Sequence, residues 1–306
     1  MPVPDREHPF RRARTLAPSA TPKRPASAGS SPAAPVIDFR HVSLVHRSGA
    51  LGLDRATFAV PRGQLAFLAG TAGAGKSTAM RLITRELAPS GGAVFVAGRD
   101  LSLIGRDGLS AYRRNLGLVR HDSTLMPDRS VQEQIVDALR VTGASRSDRG
   151  GWAGEILRLT GLANRAASLP EQLTPGEHRR VCIARAFAGR PPLLLADEPA
   201  RGLDNEAGIG IMRLLYRINR TGTTVLVATR DRDLVAKLRR RVIELDRGEV
   251  VNDVAAGLHA DDESTREFAA RVRGASADSE LDAAEERAAS AVRFARALHR
   301  DPGQPG

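Results

Sequence analysis

A short apolar run followed at once by a glycine-rich turn is the feature that most restricts how this chain can fold. Residues 64–69, QLAFLA, are typical of a strand buried on both faces, and residues 70–78, GTAGAGKST, follow directly. The next residues place Met80, Ile83 and Leu87 on one face of a helix. A strand, a tight turn and a helix in this order predict one unit of a layered α/β fold.

Strand-like and helix-like segments alternate along the rest of the chain. Further strands are predicted at 36–44, 55–60, 93–98, 116–120, 192–197 and 223–229. Residues 130–190 are mainly helical, residues 205–220 form another helix, and residues 241–253 form a hairpin that turns at Arg247 and Gly248. The sequence therefore predicts an α/β sheet with both faces covered.

The two ends of the chain differ in composition from its middle. Residues 1–35 are rich in Pro, Ala, Ser and Arg and are predicted to be a disordered extension, although an organellar transit peptide shares this composition. Residues 255–306 form an acidic to Ala/Arg-rich tail with a predicted helix near 279–299. Residues 36–254 are the predicted folded domain. The net charge of +11 suits nucleic acid, nucleotide or an anionic membrane face, and it assigns no function alone.

The glycine-rich turn fits the phosphate-binding pattern G-x-x-x-x-G-K-[ST]. Glycines let backbone N–H groups point inward around phosphate oxygens, and the helix N-terminus adds its dipole. Lys76 is predicted to reach the β- and γ-phosphates of a nucleotide, and Ser77 to ligate Mg²⁺. The predicted phosphate-binding residues are Gly70, Thr71, Ala72, Gly73, Ala74, Gly75, Lys76, Ser77 and Thr78.

A pair of adjacent carboxylates supplies the second half of the predicted site. In residues 193–199, LLLADEP, an apolar strand ends in Asp197 and Glu198, at the sheet edge where open α/β sheets bind ligands. Asp197 is predicted to hold Mg²⁺ directly or through water, and Glu198 to deprotonate an attacking water. The alternative is an Asp-Glu pair that only begins a helix.

These segments, in this order, resemble the ABC-type ATPases. The resemblance covers 36–253 and rests on GTAGAGKST, LTPGEHRRVCIARAF, LLLADEPARGLD, VLVATRD and IELDRGEVV. It implies a P-loop fold with a central, mostly parallel sheet and flanking helices, a small antiparallel β part and a helical subdomain at about 110–190. The segments 112–135, 140–148 and 211–231 resemble the FtsE group of cell-division ATP-binding proteins in particular. ATPases of lipoprotein-release and MacB-type exporters are similar alternatives.

The resemblance implies that two subunits pack head to tail, with each ATP between the phosphate loop of one and residues 173–177 of the other. Thr174 would offer its hydroxyl, Gly176 a backbone N–H, and Asp204 would lie on the loop that crosses the dimer. Pro175 stands where the family has a glycine. It removes one N–H donor but suits a first helical turn. A lost hydrogen bond to a charged partner costs about 1.5–3 kcal/mol.

Three further positions depart from the family. His121 replaces a glutamine that contacts Mg²⁺ and water, Arg230 replaces a histidine that holds the γ-phosphate, and His46 replaces the aromatic residue that stacks on adenine. Arg230 can clamp the γ-phosphate as a permanent cation, but it does not exchange a proton at neutral pH. We therefore expect intact binding of ATP and Mg²⁺, with turnover reduced about a thousandfold if each of three altered groups around the γ-phosphate costs tenfold.

The resemblance leaves three functions open. The first is the ATPase subunit of an FtsE/FtsX-like complex that drives or gates a transmembrane partner in cell division. The second is an ATP-binding switch with very slow or no hydrolysis, and the third is the ATPase of an exporter. A nucleic-acid partner is not expected, because the chain has one cassette and one tryptophan, Trp152, without aromatic platforms.

The resemblance also implies where a membrane partner docks. The expected groove lies between the sheet and the helical subdomain near Asp122–Arg129, with Leu125 and Met126 as contacts. The alternative is that both side chains fill the core of the helical subdomain. One cysteine, Cys182, favours a reducing cytoplasm, and no apolar run reaches about 18 residues. The resemblance implies that the chain is peripheral on the inner face of the cell membrane through its partner.

Overall fold

The structure is a computed structural model that describes residues 35–238 and 240–254. The predicted extension, apart from Pro35, and the predicted tail with its helix near 279–299 lie outside the described residues. The described residues form ten strands: β1 (Pro35–Val45), β2 (Leu51–Pro61), β3 (Leu65–Ala69), β4 (Gly91–Val96), β5 (Arg99–Asp100), β6 (Leu116–Val119), β7 (Leu193–Asp197), β8 (Thr224–Thr229), β9 (Arg241–Asp246) and β10 (Glu249–Val254). They also form seven α-helices: α1 (Lys76–Ile83), α2 (Arg106–Arg114), α3 (Val131–Val141), α4 (Arg149–Thr160), α5 (Pro175–Phe187), α6 (Asn205–Arg220) and α7 (Arg232–Leu238).

The strands make two sheets. An antiparallel sheet has the order β2-β1-β4-β5, and a six-stranded sheet has the order β10-β9-β3-β8-β7-β6. In the larger sheet β9, β3, β8, β7 and β6 run parallel, and β10 pairs antiparallel with β9 at one edge. Each predicted strand is present, and the last hairpin turns at Arg247 and Gly248. The predicted fold class, a mostly parallel sheet with flanking helices and a small antiparallel part, is confirmed.

Apolar packing divides the described chain into three cores. One core lies between the antiparallel sheet, α1 and one face of the parallel sheet. The second lies between the opposite face and helices α5, α6 and α7, and the third lies among α3, α4 and α5. Strands β3 and β8 are buried at every residue, as expected for strands covered on both faces. No helix of residues 35–238 and 240–254 is long and apolar enough to span a bilayer.

The helix predicted to carry Leu87 ends earlier than expected. Helix α1 stops at Ile83, and the chain turns through a left-handed residue, Arg85, at φ +58°. The prediction that Leu87 belongs to this helix is therefore wrong, although its side chain still packs against the first core. A non-glycine residue at positive φ is uncommon and leaves no signal in the sequence pattern.

The first core depends on a stacked aromatic pair between β1 and β2. The rings of Phe39 and Phe58 lie 4.4 Å apart between centroids with 16° between their planes, and Phe39 is fully buried. We expect Phe39→Ala to lower the free energy of unfolding by about 3–5 kcal/mol, because it leaves a cavity in a packed core. Denaturant unfolding of the full chain measures this loss.

The matched control is Phe95→Ala on the neighbouring strand β4. The Phe95 ring is half-buried under the Arg40 guanidinium, 4.2 Å from the ring centroid. We expect this variant to lose only about 1–2 kcal/mol, because its ring removes less apolar surface from water. Equal losses in the two variants would contradict the assignment of Phe39 to the core.

Candidate functional site

The loop between β3 and α1 has a backbone shape that only glycine fits. Gly70 and Gly75 have φ values of +152° and +106°. A Cβ on Gly70 would lie 2.3 Å from the Leu245 carbonyl oxygen, and one on Gly75 would lie 2.6 Å from the Gly52 carbonyl oxygen. The loop therefore lies close against neighbouring backbone, and its own backbone wraps tightly ahead of α1.

Lys76 is the first residue of α1, and its ammonium group is bound back onto the loop. Its Nζ donates hydrogen bonds to the carbonyl oxygens of Gly70 and Thr71, both at 2.7 Å. Only 6% of the residue is exposed. Burial lowers the pKa of Lys76, and the negative charge of Glu198 is the largest opposing influence. The cation is thus held at the loop in a position where phosphate oxygens can replace the two carbonyls.

Parallel pairing brings the two carboxylates to this loop. Strand β3 pairs with β8, and β8 pairs with β7, so the carboxyl ends of the three strands meet at one edge. At that edge the Ser77 hydroxyl donates a hydrogen bond to Asp197 Oδ2 at 3.1 Å. The other oxygen, Oδ1 of Asp197, is buried and has no hydrogen-bond partner in the described part of the chain. Burial raises the pKa of the Asp197 carboxyl, opposed by the Ser77 hydrogen bond and the positive charge of His121.

This hydroxyl and this buried carboxylate oxygen form a donor set that a hard cation prefers. Among the described residues, no group of three or more His, Cys, Asp or Glu side chains is placed to hold a metal ion. A single carboxylate and a hydroxyl suit Mg²⁺, which keeps waters and takes phosphate oxygens for its remaining ligands. The orphaned oxygen of Asp197 is the feature that fits the predicted ion.

Glu198 and Arg230 form an ion pair at the same edge. Glu198 has φ +48°, and its backbone N–H donates to the Ala228 carbonyl at 2.9 Å. Arg230 Nε donates to Glu198 Oε1 at 2.9 Å, and the Arg230 backbone N–H donates to Oε2 at 3.4 Å. Both carboxylate oxygens are therefore engaged. The predicted base is present at the site, but its partner is the residue that replaces the family's histidine.

The two histidines predicted for the site lie at its borders. His46 Nε2 is 3.3 Å from the Thr78 hydroxyl oxygen on α1, so the ring lies beside the phosphate loop. The exposed apolar residues Val45 and Leu51 are cross-strand neighbours next to it. His121 is exposed after β6, close enough to act on the pKa of Asp197. The structure thus brings both near the phosphate loop.

A second group of predicted residues surrounds the beginnings of α5 and α6. Thr174 Oγ1 accepts from the Glu177 N–H at 3.2 Å, and Glu177 Oε2 accepts from the Thr174 N–H at 2.9 Å. Asp204 Oδ1 accepts from the Ala207 N–H at 2.8 Å, and a Cβ on Gly176 would lie 3.3 Å from Ala207 Cβ. No hydrogen bond or ion pair among the described residues joins this group to the phosphate loop. The two groups of predicted residues are therefore not in hydrogen-bond contact within the described part of one subunit.

Pro175 occupies the first position of α5 inside a complete capping box. A proline is favoured there because its missing N–H has no intrahelical acceptor and its φ is already helical. The expectation that the loop keeps a helix-start shape is confirmed. The N–H that a glycine would offer to a ligand is absent.

A row of side chains on α5, not foreseen from the sequence, holds the segment after β6. Arg179 donates to the carbonyl oxygens of Arg120 and His121 at 3.0 and 3.3 Å. Cys182 Sγ lies 3.7 Å from the Ser123 carbonyl oxygen, and Arg185 Nη1 donates to the Thr124 carbonyl oxygen at 2.8 Å. The spacing of three residues marks one helix face. The acceptors are backbone carbonyls about 60 residues away in the chain, so no side-chain pattern in the sequence indicates them.

A groove lies where the helical region meets the sheet. It has a volume of about 640 Å³ and is lined by α2, β6, α3 and α5 together with Ser123 and Met126. Met126 is 39% exposed there, whereas Leu125 is partly buried between the second and third cores. Of the two residues predicted as partner contacts, Met126 therefore lies at the surface of the groove and Leu125 packs in the interior.

Comparisons with known proteins agree with the motifs. The family described as ABC transporter matches residues 53–201. The cell division ATP-binding protein FtsE of Mycobacterium tuberculosis is 39% identical over 228 residues, which are 74% of this chain and 99% of that protein. FtsE of Escherichia coli is 38% identical over 213 residues, 70% of this chain and 96% of that protein. The candidate site thus lies in a region that this chain shares with almost the whole length of both relatives.

Solved structures give the same result for the fold. A dimeric, post-hydrolysis structure of the ATP-binding cassette MJ0796 bound to ADP and Pi has a TM-score of 0.65 and 30% sequence identity. It aligns with 72% of this chain and 98% of that one. A second dimeric structure of MJ0796, a bacterial ABC transporter cassette, gives the same TM-score at 31% identity. The chain therefore belongs to the ABC family of ATPases and resembles the FtsE members of that family.

Proposed function

We propose that this chain is the ATP-binding subunit of an FtsE/FtsX-like complex in the cell membrane. It binds ATP with Mg²⁺, closes as a head-to-tail homodimer, and hydrolyses ATP to drive or gate a transmembrane partner in cell division. The observation that carries the proposal is the Ser77–Asp197 hydrogen bond at the end of the phosphate loop, with Glu198 one residue further on. The names of the FtsE relatives supply the biological setting.

Within one subunit the residues divide into binding and chemical roles. Lys76 and the loop N–H groups bind the β- and γ-phosphates, and Ser77 and Asp197 would hold Mg²⁺. When bound, Mg²⁺ neutralises phosphate charge and favours transfer of the terminal phosphoryl group. Glu198 orients the attacking water and takes its proton as the oxygen bonds to the γ-phosphorus, while ADP leaves. Arg230 contacts the γ-phosphate as a fixed cation.

The separation of the two groups of predicted residues supports a homodimer. Thr174, Gly176 and Asp204 make no hydrogen bond or ion pair with the phosphate loop of their own subunit among the described residues, so a second subunit would bring such residues to the nucleotide. The solved MJ0796 cassettes are dimers, and one holds ADP and Pi. Dimer closure then completes each ATP site with the start of α5 from the other subunit.

An ATP-binding switch with very slow turnover is the second candidate function. The ion pair between Glu198 and Arg230 favours it, because the carboxylate that must accept a proton already accepts hydrogen bonds. Pro175 favours it as well, because one donor to the γ-phosphate is missing. The binding residues are the same in both functions, so only turnover separates them.

Steady-state hydrolysis by the purified chain tests the enzyme function. We expect slow ATP hydrolysis that falls at least about a hundredfold in Glu198→Gln, because the amide cannot accept the proton of the attacking water. ATP binding should survive in Glu198→Gln and be lost in Lys76→Ala. Phosphate release and equilibrium titration with ATP measure the two properties.

Tight ATP binding with equal turnover in the wild type and Glu198→Gln would support the switch and contradict the enzyme. Failure of the wild type to bind ATP would contradict both candidate functions. Adding the membrane subunit to the assay decides whether turnover depends on the partner.

Restoring the family's residue at the start of α5 tests the cost of the proline. We expect Pro175→Gly to raise kcat about three- to tenfold, because the new N–H can donate to the γ-phosphate across the dimer. The capping box of Thr174 and Glu177 should keep the helix start in place. Steady-state kcat at saturating MgATP is the measurement.

The chain offers a matched control for this change in Pro170. Pro170 is also the first residue of a helical turn, Pro170–Gln172, but it lies outside the candidate site. Pro170→Gly should leave kcat unchanged. A similar rise in both variants would assign the effect to loop flexibility rather than to the added donor.

The groove beside α2 is the proposed docking site of the membrane partner. Three arginines line it: Arg113, Arg114 and Arg185. Its lining contains a single acidic residue, Asp137, which forms an ion pair with Arg140 at 2.8 Å. Within residues 35–238 and 240–254, the Arg113 and Arg185 guanidinium groups bond only to uncharged oxygens. Arg114 makes no hydrogen bond or ion pair with any described residue. The groove is therefore basic and partly apolar, and it suits a short amphipathic segment that carries carboxylates.

A charge reversal in the groove tests this docking site. We expect Arg114→Glu to weaken binding of the FtsX-like membrane subunit of the same organism about five- to tenfold, because a carboxylate on the partner then meets a like charge. Basal ATP binding should be unchanged. Affinity is measured with the partner in detergent or nanodiscs.

Arg106→Glu is the matched control, since Arg106 lies on the same helix α2, is exposed, and does not line the groove. It should bind the partner as the wild type does. Equal losses from Arg106→Glu and Arg114→Glu would contradict docking in the groove.

A further inference from the structure

The sheet itself holds Glu198 and Arg230 against each other. Asp197 at the end of β7 pairs in register with Ala228 on β8. Glu198 and Arg230 therefore lie just beyond the ends of these two adjacent strands. The Glu198 N–H bonds to the Ala228 carbonyl, and the Arg230 N–H points back to the Glu198 carboxylate. The pair is thus a product of strand register and is part of the folded structure before any ligand arrives.

The ion pair is accessible enough to be exchanged. The Arg230 side chain is 41% exposed and that of Glu198 is 14% exposed. The pair borders a cavity of about 420 Å³ lined by Glu198, Ala200, Arg201, Thr229, Arg230 and Asp231. Both charges also act on Lys76, Glu198 more strongly than Arg230. The guanidinium is therefore close to the place where the terminal phosphate is proposed to bind, and it has room to turn.

We propose that Arg230 exchanges partners when a nucleoside triphosphate binds. Without a terminal phosphate, the guanidinium holds the Glu198 carboxylate and keeps both of its oxygens engaged. With a γ-phosphate, the guanidinium binds the phosphate oxygens and leaves the carboxylate free to accept a proton from water. The inference rests on the proposed function, because it requires the γ-phosphate to lie beside Glu198.

Charge and geometry favour this exchange. A guanidinium is permanently charged, and its planar fork matches phosphate oxygens as well as carboxylate oxygens. A terminal phosphate carries more negative charge than a carboxylate and offers three oxygens. A nucleoside diphosphate has no group at that place, so its β-phosphate meets the loop and Lys76 alone. The exchange therefore makes the site selective for triphosphates and withholds the base from empty or diphosphate-bound protein.

A cycle of variants measures the exchange at equilibrium. The wild type, Glu198→Gln, Arg230→Gln and the double variant are titrated in MgCl₂ with a non-hydrolysable ATP analogue and, separately, with ADP. If the exchange occurs, triphosphate binding must break the ion pair between Glu198 and Arg230. Glu198→Gln removes this free-energy cost in protein that has Arg230, and it has no ion pair to remove in protein that has Gln at 230. We expect Glu198→Gln to improve affinity for the analogue about fivefold more with Arg230 than with Gln at 230, the upper end for a half-exposed ion pair.

The ADP titrations are the comparison for the analogue, and three outcomes of the cycle would contradict the exchange. The gain from Glu198→Gln should be the same with Arg or Gln at 230 when the ligand is ADP. A gain for the analogue that is equal or smaller with Arg230 overturns the exchange, because a guanidinium bridging carboxylate and phosphate would then screen their repulsion. Equal coupling for ADP and the analogue also overturns it, since the pair would then act through the fold. Wild type that binds neither nucleotide overturns the proposed function and the exchange together, whereas binding with a flat cycle overturns the exchange alone.

Two further variants test whether the coupling is specific to the guanidinium of Arg230. Arg232 lies two residues beyond Arg230 and pairs with Glu244, outside the site. Arg232→Gln combined with Glu198→Gln should show no coupling for either nucleotide. Arg230→Lys keeps a cation and should retain part of the coupling for the analogue. Thermal unfolding of every variant confirms that the compared proteins are folded.

Discussion

Parallel pairing of β3 with β8, and of β8 with β7, positions the phosphate loop, the two carboxylates and Arg230 of the candidate site. Because parallel strands end at the same edge, the helix start after β3, the two carboxylates at the end of β7 and Arg230 after β8 are brought within hydrogen-bond reach. A shift of one residue in the pairing of β7 with β8 would turn the Asp197 side chain to the other face of the sheet. The buried apolar side chains of β3 and β8, covered on both faces, resist such a shift. The chemistry at the edge thus depends on the hydrophobic interior beneath it.

The charges at this edge are satisfied unequally before a ligand binds. Lys76 bonds to two loop carbonyls, and Glu198 and Arg230 satisfy each other. Asp197 is the exception, since one of its oxygens is buried without a partner and burial disfavours its charged form. An unpaired buried oxygen costs free energy that a bound cation recovers. The site therefore gains most from a ligand at Asp197, which explains why nucleotide and cation would be bound together.

The segments with strong local signals could be predicted from sequence, and the contacts between distant segments could not. The apolar runs of β3, β7 and β8, and the glycines that the loop requires, leave unmistakable patterns. The pairing of Glu198 with Arg230 depends on strand register between residues 32 positions apart, so no local pattern indicated that the predicted base would already have a partner. The left-handed turn at Arg85 has no residue signal, and the expected helical position of Leu87 was wrong for that reason.

Packing also divides residues that look alike in the sequence. Leu125 and Met126 are adjacent apolar residues, and either could contact a partner or fill a core. In the structure Leu125 joins two cores, while Met126 lines the groove. The choice is made by the direction of the chain between β6 and α3, which no periodicity records. Sequence reasoning therefore predicted a groove in this region but not which of the two side chains lines it.

Helix α5 connects three regions that would otherwise be independent. Its first turn carries Thr174 and Pro175, and its side chains hold four carbonyls of the segment that follows β6. That segment includes His121, which lies close enough to act on the pKa of Asp197, and it leads into Met126 at the groove. A partner that displaces the groove wall must therefore move α5 with it, since separating them breaks several hydrogen bonds at once. The start of α5 is thus connected, through one helix and its hydrogen bonds, to the groove that Met126 lines.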